Sequence, residues 1–205
     1  MRAHDLRPQD HCTDRLLAAG RELFARNGYD GTSVRAITSK SKANLGAITY
    51  HFGSKHVLYY AVLSLLMKPL GKRVSFSLLS ERPPLDKVES VVRVFFDHIR
   101  ANQDMPAIMI REIASGRPVP RLVSETMGQV LQQLSAVIAE GQADGTIRSG
   151  DPLLLALSCV AQPIYLNLAR RAIAAAAGLD QDDAAVFHRV VEHAVETVRA
   201  SLRAS

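Results

Sequence analysis

The chain has 205 residues, of which 47% are apolar and 22% are charged. This balance excludes a disordered chain and provides enough apolar surface for one large domain, or for a small domain joined to a larger one. The two cysteines, Cys12 and Cys159, lie far apart in sequence, which excludes a disulfide framework and a zinc-binding Cys-x-x-Cys pair. The polar first residues lack the apolar segment of a secretory signal, so we expect a cytoplasmic protein.

Positive charge is concentrated in the first third of the chain. Residues 1–73 contain 12 Lys and Arg against 5 Asp and Glu, whereas residues 74–205 contain 13 against 15. Such a partition is typical of a polyanion-binding module attached to a near-neutral domain with another task. Chance asymmetry is the alternative interpretation.

Apolar residues recur with helical spacing along the whole chain, and this pattern predicts an all-α protein with almost no strand. The first helix is expected over residues 14–27, and Gly28 is expected to end it. The hydroxyl of Ser33 can cap a short helix that begins at Val34, and Asn44 can cap another that begins at Leu45.

A longer fourth helix is expected after Ser54, and Pro69 with Gly71 predicts a kink or break in it. The longest apolar stretch, residues 153–169, contains polar residues and falls short of the roughly 18 to 20 apolar residues of a membrane span. It predicts a buried helix and no contact with a membrane. A further helix is predicted from Asp86, with a buried apolar stripe that runs from Val88 to Ile99. Other helices are predicted from Asp104, through Met127–Ile138 to a stop at Gly145, from the Asp151 cap with a bend at Pro163, and through Phe187–Leu202.

Residues 13–58 contain three predicted helices with the size and order of a helix-turn-helix unit. The third of these helices carries small residues in its first turn, which suits close approach to base edges in a major groove. A small three-helix bundle that never contacts DNA is the alternative. The groups around this helix that suit phosphate oxygens are Ser33, Arg35, Tyr50, His51 and Lys55.

The segment from Arg15 to Leu58, and above all its core NLGAITYHFGSK, resembles the amino-terminal DNA-binding domain of TetR-family transcriptional regulators. The resemblance is close over residues 13–62, and beyond them it rests on the number and length of the helices. It implies an all-α homodimer in which a three-helix helix-turn-helix domain precedes a larger helical domain. The expected division is a flexible leader at residues 1–12, the DNA-binding domain at residues 13–60 and a ligand-binding and dimerisation domain at residues 61–205.

The resemblance also implies contacts with double-stranded DNA. Leu45, Gly46, Ala47 and Thr49 fall where family members touch bases. The residues expected to touch phosphates, with two residues of the turn included, are Ser33, Arg35, Lys42, Asn44, Tyr50, His51 and Lys55.

The turn between the second and third helices departs from the family pattern. Ser41-Lys42-Ala43 stands where Ala-Gly-Val is usual, and Thr38 replaces a small alanine. Lys42 therefore adopts a left-handed conformation at a cost of about 1 kcal/mol, or the turn shifts. Three consequences stay open: an altered angle of the recognition helix, an added phosphate contact from Lys42, or the loss of DNA binding.

The amino-terminal leader offers two further candidate sites. Arg2 and Arg7 either reach into an adjacent minor groove or belong to a disordered segment. His4, His11 and Cys12 are soft metal ligands, but they lack a fourth partner, and we expect no bound metal there.

His188 and His193 are five residues apart, a spacing that turns them away from each other on a helix, so we expect no shared metal. The chain contains none of the common catalytic or phosphate-cradling motifs. We therefore expect neither an enzyme nor a cofactor.

A pocket for a small-molecule effector is expected in the larger domain, as the resemblance implies. Pro163 is expected to bend its helix and open a gap that Gln162 and Tyr165 flank with hydrogen-bonding groups. Arg111 and Glu112 either orient a charged ligand or form a solvated helix face. The candidate lining residues, for each of which a plain core position is the alternative, are Phe95, Phe96, Met109, Met127, Cys159, Gln162 and Tyr165.

Together these features predict a regulator that binds an inverted-repeat operator as a homodimer, joined through its last two long helices, residues 153–171 and the final helix. Repression that a small-molecule effector relieves is the expected mechanism. A ligand-binding or interaction dimer with a weakened DNA-binding head is the alternative. An enzyme is the third class, against which the missing catalytic motifs argue.

Overall fold

The computed structural model describes residues 8–204. This part of the chain forms ten α-helices and one isolated bridge between Ile147 and Arg203, which confirms the all-α prediction. In chain order the helices are α1 (Pro8–Asn27), α2 (Val34–Ser41), α3 (Ala47–Phe52), α4 (Lys55–Leu78), α5 (Pro84–Ala101), α6 (Met105–Ala114), α7 (Arg121–Ala143), α8 (Pro152–Leu168), α9 (Arg170–Ala177) and α10 (Ala184–Leu202).

Capping residues place several helix ends where the sequence predicts them. At the start of α2 the Ser33 hydroxyl accepts a hydrogen bond from the Ala36 amide at 3.1 Å. At the start of α8 the Asp151 carboxylate accepts one from the Leu153 amide at 2.8 Å. Gly28 follows α1 with a φ of 72°, a left-handed conformation that glycine adopts without strain.

Two helix starts differ from the predictions. Helix α1 begins at Pro8, so its first turns are helical where the sequence predicts a leader. Helix α3 begins at Ala47 with Gly46 as its N-cap, and the predicted start at Leu45 is wrong. Leu45 and Gly46 instead form a turn, in which the main-chain oxygen of Asn44 accepts from the Ala47 amide at 3.1 Å.

Helix α4 continues through Pro69 and Gly71, so of the kink or break predicted there, the break is wrong. Proline lacks the N–H that would bond to the carbonyl of Leu65, one turn earlier. Both side chains are exposed, so that carbonyl lies on the solvated side of the helix. Gly71 has a packing role, because a Cβ at this position would lie 3.0 Å from Cγ2 of Thr126 on α7.

Helix α8 covers most of the longest apolar stretch of the sequence. It is uninterrupted at Pro163, whose carbonyl accepts a hydrogen bond from Nδ2 of Asn167 at 2.8 Å. Within residues 8–204 no single helix is long and apolar enough to cross a membrane; α8 and α9 meet that criterion only as a pair, and the chain bends by 68° between them.

The described chain divides into two compact units. The first comprises the residues up to Leu66 together with Ala107–Leu122, and the second comprises Met67–Pro106 and the residues from Val123 onward. In the first unit α1 packs against α2, and α2 packs against α3. In the second unit α5 packs against α8 and α10.

An aromatic cluster lies in the first unit. Tyr59 contacts Phe24 edge to face, with ring centroids 4.8 Å apart, and its ring is 5.0 Å from that of Tyr29. Two cations lie over the Tyr29 ring, Nζ of Lys55 at 4.1 Å and the guanidinium of Arg117 at 4.7 Å. The loop after α1, the start of α4 and the segment after α6 therefore share one core.

A charged residue is buried beside this cluster. Glu112 is only 5% exposed, and its carboxylate accepts hydrogen bonds from the Tyr59 hydroxyl at 2.5 Å and from Arg117 at 2.9 Å. Arg111 is exposed and donates through Nε to the main-chain oxygen of Ala25 at 3.0 Å. The solvated helix face that the sequence offers as one role for Glu112 is wrong, because the carboxylate is bonded inside the first unit.

The core of the second unit follows the predicted stripe of α5. The buried residues of this stripe are Val88, Val91, Val92, Phe95, Phe96 and Ile99. Val191 and Val195 of α10 are buried as well, so both face the core of the unit. A substitution at either valine therefore disturbs the core before it disturbs any interface.

Candidate nucleic-acid interface

The turn between α2 and α3 keeps its main-chain hydrogen bonds although a lysine lies at its centre. Lys42 has a φ of 54° and a ψ of 39°, which confirms the left-handed conformation predicted for it. Its amide donates to the carbonyl of Ser39 at 3.2 Å, and the Ala43 amide donates to that of Thr38 at 2.9 Å. Carbonyls at the end of α2 are thereby satisfied, as they are in helices that end at a glycine.

Two buried hydroxyls of α2 are bonded within the helix. Thr38 donates to the carbonyl of Val34 at 3.1 Å, and Ser41 donates to the carbonyl of Thr38 at 3.1 Å. The threonine that replaces the usual alanine therefore leaves no unsatisfied polar group in the helix-turn-helix core.

The residues predicted to contact bases differ in accessibility. Leu45 is 55% exposed, and Gly46 and Thr49 are exposed too. Ala47 is only 6% exposed and belongs to the core of the first unit. We therefore omit Ala47 from the proposed base contacts and retain Leu45, Gly46 and Thr49.

Most of the residues predicted to contact phosphates have exposed side chains. Tyr50 is 75% exposed, and within residues 8–204 neither Arg35 nor Lys42 forms an ion pair. His51 is half-buried, with Nδ1 3.1 Å from the hydroxyl of Thr13 on α1. The contact between His51 and Thr13 could not be predicted from the sequence, because the two residues are 38 positions apart. The exposed members of the predicted set are Ser33, Arg35, Lys42, Asn44 and Tyr50.

Lys55 has partners inside the first unit. Its Nζ donates to the carbonyls of Tyr29 at 2.9 Å and Thr32 at 3.0 Å, in addition to its contact with the Tyr29 ring. A lysine has three ammonium donors, and two of them are used here. This geometry weighs against the phosphate contact that the resemblance implies and favours a role in holding the loop between α1 and α2.

We expect Lys55→Met to lower the stability of the first unit by about 1–3 kcal/mol, because two charge-assisted hydrogen bonds are lost while the aliphatic stem is kept. The salt dependence of binding to a random-sequence duplex is expected to stay unchanged. Urea unfolding and duplex titrations at several salt concentrations measure the two effects. Unchanged stability together with a shallower salt dependence of binding would instead show that Lys55 contacts a phosphate.

We expect Lys42→Gly to affect stability and DNA binding in opposite directions. Because Lys42 has a left-handed backbone conformation that glycine adopts without strain, the substitution is expected to raise the free energy of unfolding by up to about 1 kcal/mol. Losing one cation beside the recognition helix is expected to reduce the salt slope of duplex binding by about 1.

The control for this variant is Lys42→Gln, which removes the charge and keeps the strained backbone. It is expected to reduce the salt slope equally and to leave the stability unchanged. A salt slope that neither substitution alters would show that Lys42 contacts no phosphate.

None of the predicted pocket residues lines the three cavities described within residues 8–204. Phe95, Phe96 and Cys159 are core residues, and burial raises the pKa of the Cys159 thiol to about 12, so this thiol is neutral at physiological pH. Met109, Met127 and Gln162 are half-buried. Tyr165 is exposed.

A small cavity of about 10 Å³ lies between the end of α5, the end of α8 and the start of α10. Gln181 lines this cavity and is 5% exposed. Its Nε2 donates to the Leu166 carbonyl at 3.1 Å, whereas its buried Oε1 has no partner among the described residues. The volume suits about one water molecule and is too small for an effector.

No group of three or more His, Cys, Asp or Glu side chains in residues 8–204 is placed to hold a metal ion. His188 is exposed, with Nδ1 3.6 Å from a carboxylate oxygen of Glu192. His11 is exposed and Cys12 is half-buried on α1. The other leader residues considered for DNA or metal binding, Arg2, His4 and Arg7, lie outside the described residues.

Two family models match the chain. Residues 16–62 match the family described as bacterial regulatory proteins, tetR family. Residues 84–198, which are more than half of the chain, match the model described as tetracyclin repressor-like, C-terminal domain. The first match contains the helix-turn-helix residues considered above.

Relatives and solved structures agree with these matches. The chain is 33% identical over 122 residues to the HTH-type transcriptional repressor Rv3405c of Mycobacterium tuberculosis, a match that covers 60% of this chain and 56% of that protein. It is 23% identical over 165 residues to the HTH-type transcriptional repressor NicS of Pseudomonas putida, covering 79% of this chain and 78% of NicS. The chain thus spans little more than half the length of the first of these relatives.

The fold resembles that of a tetR-family bacterial regulatory protein from Rhodococcus RHA1. The TM-score is 0.77 at 18% identity, and the superposition covers 95% of this chain and 98% of that one. Since both ends of the chain match models of one family and the fold agrees, the protein belongs to the tetR family of bacterial transcriptional regulators.

Proposed function

We propose that this regulator is a repressor that binds an inverted-repeat operator as a dimer and is released by a small-molecule effector. The observation that carries the proposal is the exposed surface of the helix-turn-helix unit. Leu45, Thr49 and Tyr50 are exposed, and Arg35 and Lys42 beside them form no ion pair within residues 8–204. Such a surface supplies apolar and hydroxyl groups for base edges and cations for phosphates.

The hydrogen-bonded turn at Lys42 supports DNA binding and argues against the alternative of a weakened DNA-binding domain. The lysine in place of a glycine is the feature that suggests loss of function, yet its amide and that of Ala43 both cap α2. A distorted turn would leave these carbonyls without donors. The names of two relatives, Rv3405c and NicS, which are repressors, support repression as the direction of control.

The exposed surface of α8 indicates that a second copy of the chain binds there. One face of α8 is buried in the second unit, and the opposite face is exposed and, apart from Ser158, apolar. The exposed face comprises Leu154, Leu157, Ile164, Tyr165 and Leu168, a helical spacing that continues for four turns. A row of apolar residues of this length is typical of an isologous interface between two copies.

Selection of bound fragments from the source genome, followed by affinity measurements at several salt concentrations, tests the proposal. We expect a shared palindrome bound with a Kd of about 10⁻⁸–10⁻¹¹ M and a steep salt dependence. Thr49→Ala is expected to lower affinity for the palindrome more than affinity for random DNA, because base contacts carry the specificity.

Two results would contradict the proposal. Weak binding that does not discriminate between sequences would favour the interaction dimer with a weakened head. Equal losses on palindromic and random DNA for Thr49→Ala would remove the base-contact assignment of this residue.

A further inference from the structure

A groove in the second unit combines apolar surface with unpaired positive charge. It lies between the carboxy-terminal half of α4 and the start of α7, and its volume is about 410 Å³. Sites for small molecules in proteins usually occupy about 300–1,000 Å³, so this groove, unlike the cavity at Gln181, is large enough for one. We refer to it as the α4–α7 groove.

The last turn of α4 and the residue that follows the helix form the apolar wall of the groove. Phe76 is 81% exposed and Leu79 is 80% exposed, although both are large apolar side chains. Gly71 lies on the same side, and the absence of a side chain there lets Thr126 of α7 come close to α4 and form part of the groove floor. Apolar surface left in water is unfavourable unless something covers it.

Two lysines give the groove its charge. Lys68 and Lys72 are one turn apart on α4, and both line the groove. Neither forms an ion pair with any residue that the structure describes, and none of the eight lining residues is acidic. Like charges four residues apart destabilise a helix slightly, so the fold does not benefit from this pair.

We infer that the α4–α7 groove binds a free amphiphilic molecule with an aliphatic chain and an anionic head, such as a medium-chain carboxylate. The apolar chain lies along Phe76 and Leu79 and removes both from water, while the anionic head lies between Lys68 and Lys72. Gln129 at the groove offers a neutral polar contact to the head, whereas the Ser75 hydroxyl already donates to Oε1 of Gln133 at 2.9 Å. Ligand binding itself is independent of the proposed repressor function, whereas a role of this ligand as the effector rests on it.

The chain contains no tryptophan, which provides a clean reporter. Phe76→Trp places a single indole in the groove, and its emission is followed as dodecanoate is added below its micelle-forming concentration. Dodecan-1-ol, with the same chain and no charge, is the comparison ligand. Calorimetry on the unsubstituted protein checks that the reporter itself does not create the site.

We expect dodecanoate to shift the indole emission to shorter wavelength and to bind roughly tenfold more tightly than dodecan-1-ol, because two lysines contribute to the head group. In the same background Lys68→Gln with Lys72→Gln is expected to remove this preference. The control, Arg82→Gln with Arg171→Gln, removes two exposed cations of the same unit outside the groove and is expected to retain it.

Three outcomes would overturn the site. Equal affinity for the acid and the alcohol, or a preference that survives loss of both lysines, would reduce the binding to unspecific apolar adsorption. Binding to anionic phospholipid vesicles without binding to monomeric dodecanoate would identify a membrane surface as the occupant. A doubling of mass with protein concentration that Phe76→Ser abolishes would identify a second copy.

Operator titrations with and without dodecanoate separate the site from the function. Weaker operator binding in its presence, lost in the double lysine variant, supports the groove as the effector site. Dodecanoate binding that leaves operator affinity unchanged upholds the site and overturns its role as effector. Dodecanoate binding by a protein that binds no operator at all upholds the site and contradicts the proposed repressor function instead.

Discussion

Replacing Leu154 and Tyr165 with glutamate is expected to convert the regulator from a dimer to a monomer and to weaken operator binding by about 10²–10⁴-fold. Both side chains are more than half exposed on α8, so the substitutions leave the core of the second unit intact. In a dimer joined through this face, four carboxylates would be buried against apolar groups. The affinity falls because a monomer binds each half-site separately, whereas a dimer binds its second half-site intramolecularly.

Light scattering measures the mass of this variant, and titration with the selected operator measures its affinity. The matched control is Gln132→Glu with Ala139→Glu, which adds the same charge at two exposed positions of α7. Both variants are expected to keep the helical content of the parent, and the control is expected to keep its unfolding curve as well. A dimeric α8 variant would place the interface on another surface.

Features that depend on neighbouring residues could be predicted from the sequence. The caps Ser33 and Asp151 and the stop at Gly28 each follow from the chemistry of a few adjacent residues, and the structure contains them all. The left-handed Lys42 follows from the family pattern that the segment resembles, in which a glycine stands at this position. The stripe of α5 was equally predictable, because its apolar spacing is regular and no proline interrupts it.

Features that depend on distant partners could not be predicted. Lys55 bonds to two carbonyls more than 20 residues earlier in the chain, and without that loop it resembles any phosphate-binding lysine. Ala47 has the size of a base-contacting residue, and only packing of the first unit shows that it is buried. Val191 and Val195 lie on an amphipathic stripe that fits either a core or an interface, and only packing in the second unit distinguishes the two.

Glu112→Ala is expected to lower the free energy of unfolding of the first unit by about 2–4 kcal/mol. The substitution removes the acceptor of the buried Tyr59 hydroxyl and one partner of Arg117. The loss stays below that of a fully buried ion pair, because Arg117 is partly exposed and keeps Asp30 at 3.4 Å. Urea unfolding followed by circular dichroism and by amide exchange in α1–α3 measures the change.

The matched control is Glu196→Ala on α10, which removes an exposed carboxylate and is expected to leave stability nearly unchanged. Glu112→Leu combined with Tyr59→Phe is expected to recover part of the loss, because no buried polar group then lacks its partner. A double variant that is as unstable as the sum of the single variants would show that the hydrogen bond contributes nothing beyond packing.

The same pair predicts how stability changes at alkaline pH. Burial raises the pKa of Tyr59 well above its usual value, and the hydrogen bond to the Glu112 carboxylate raises it further, so the folded state favours the neutral phenol. The unfolded chain releases this proton near pH 10, so the stabilisation is complete below that pH and is lost as the pH rises above it. Glu112→Ala removes the second cause and so lowers the pKa of Tyr59 in the folded state, and the fall in stability above pH 10 is therefore expected to level off at a lower pH than in the parent. A fall in stability that levels off at the same pH in the two proteins would mean that the carboxylate does not act on the phenol.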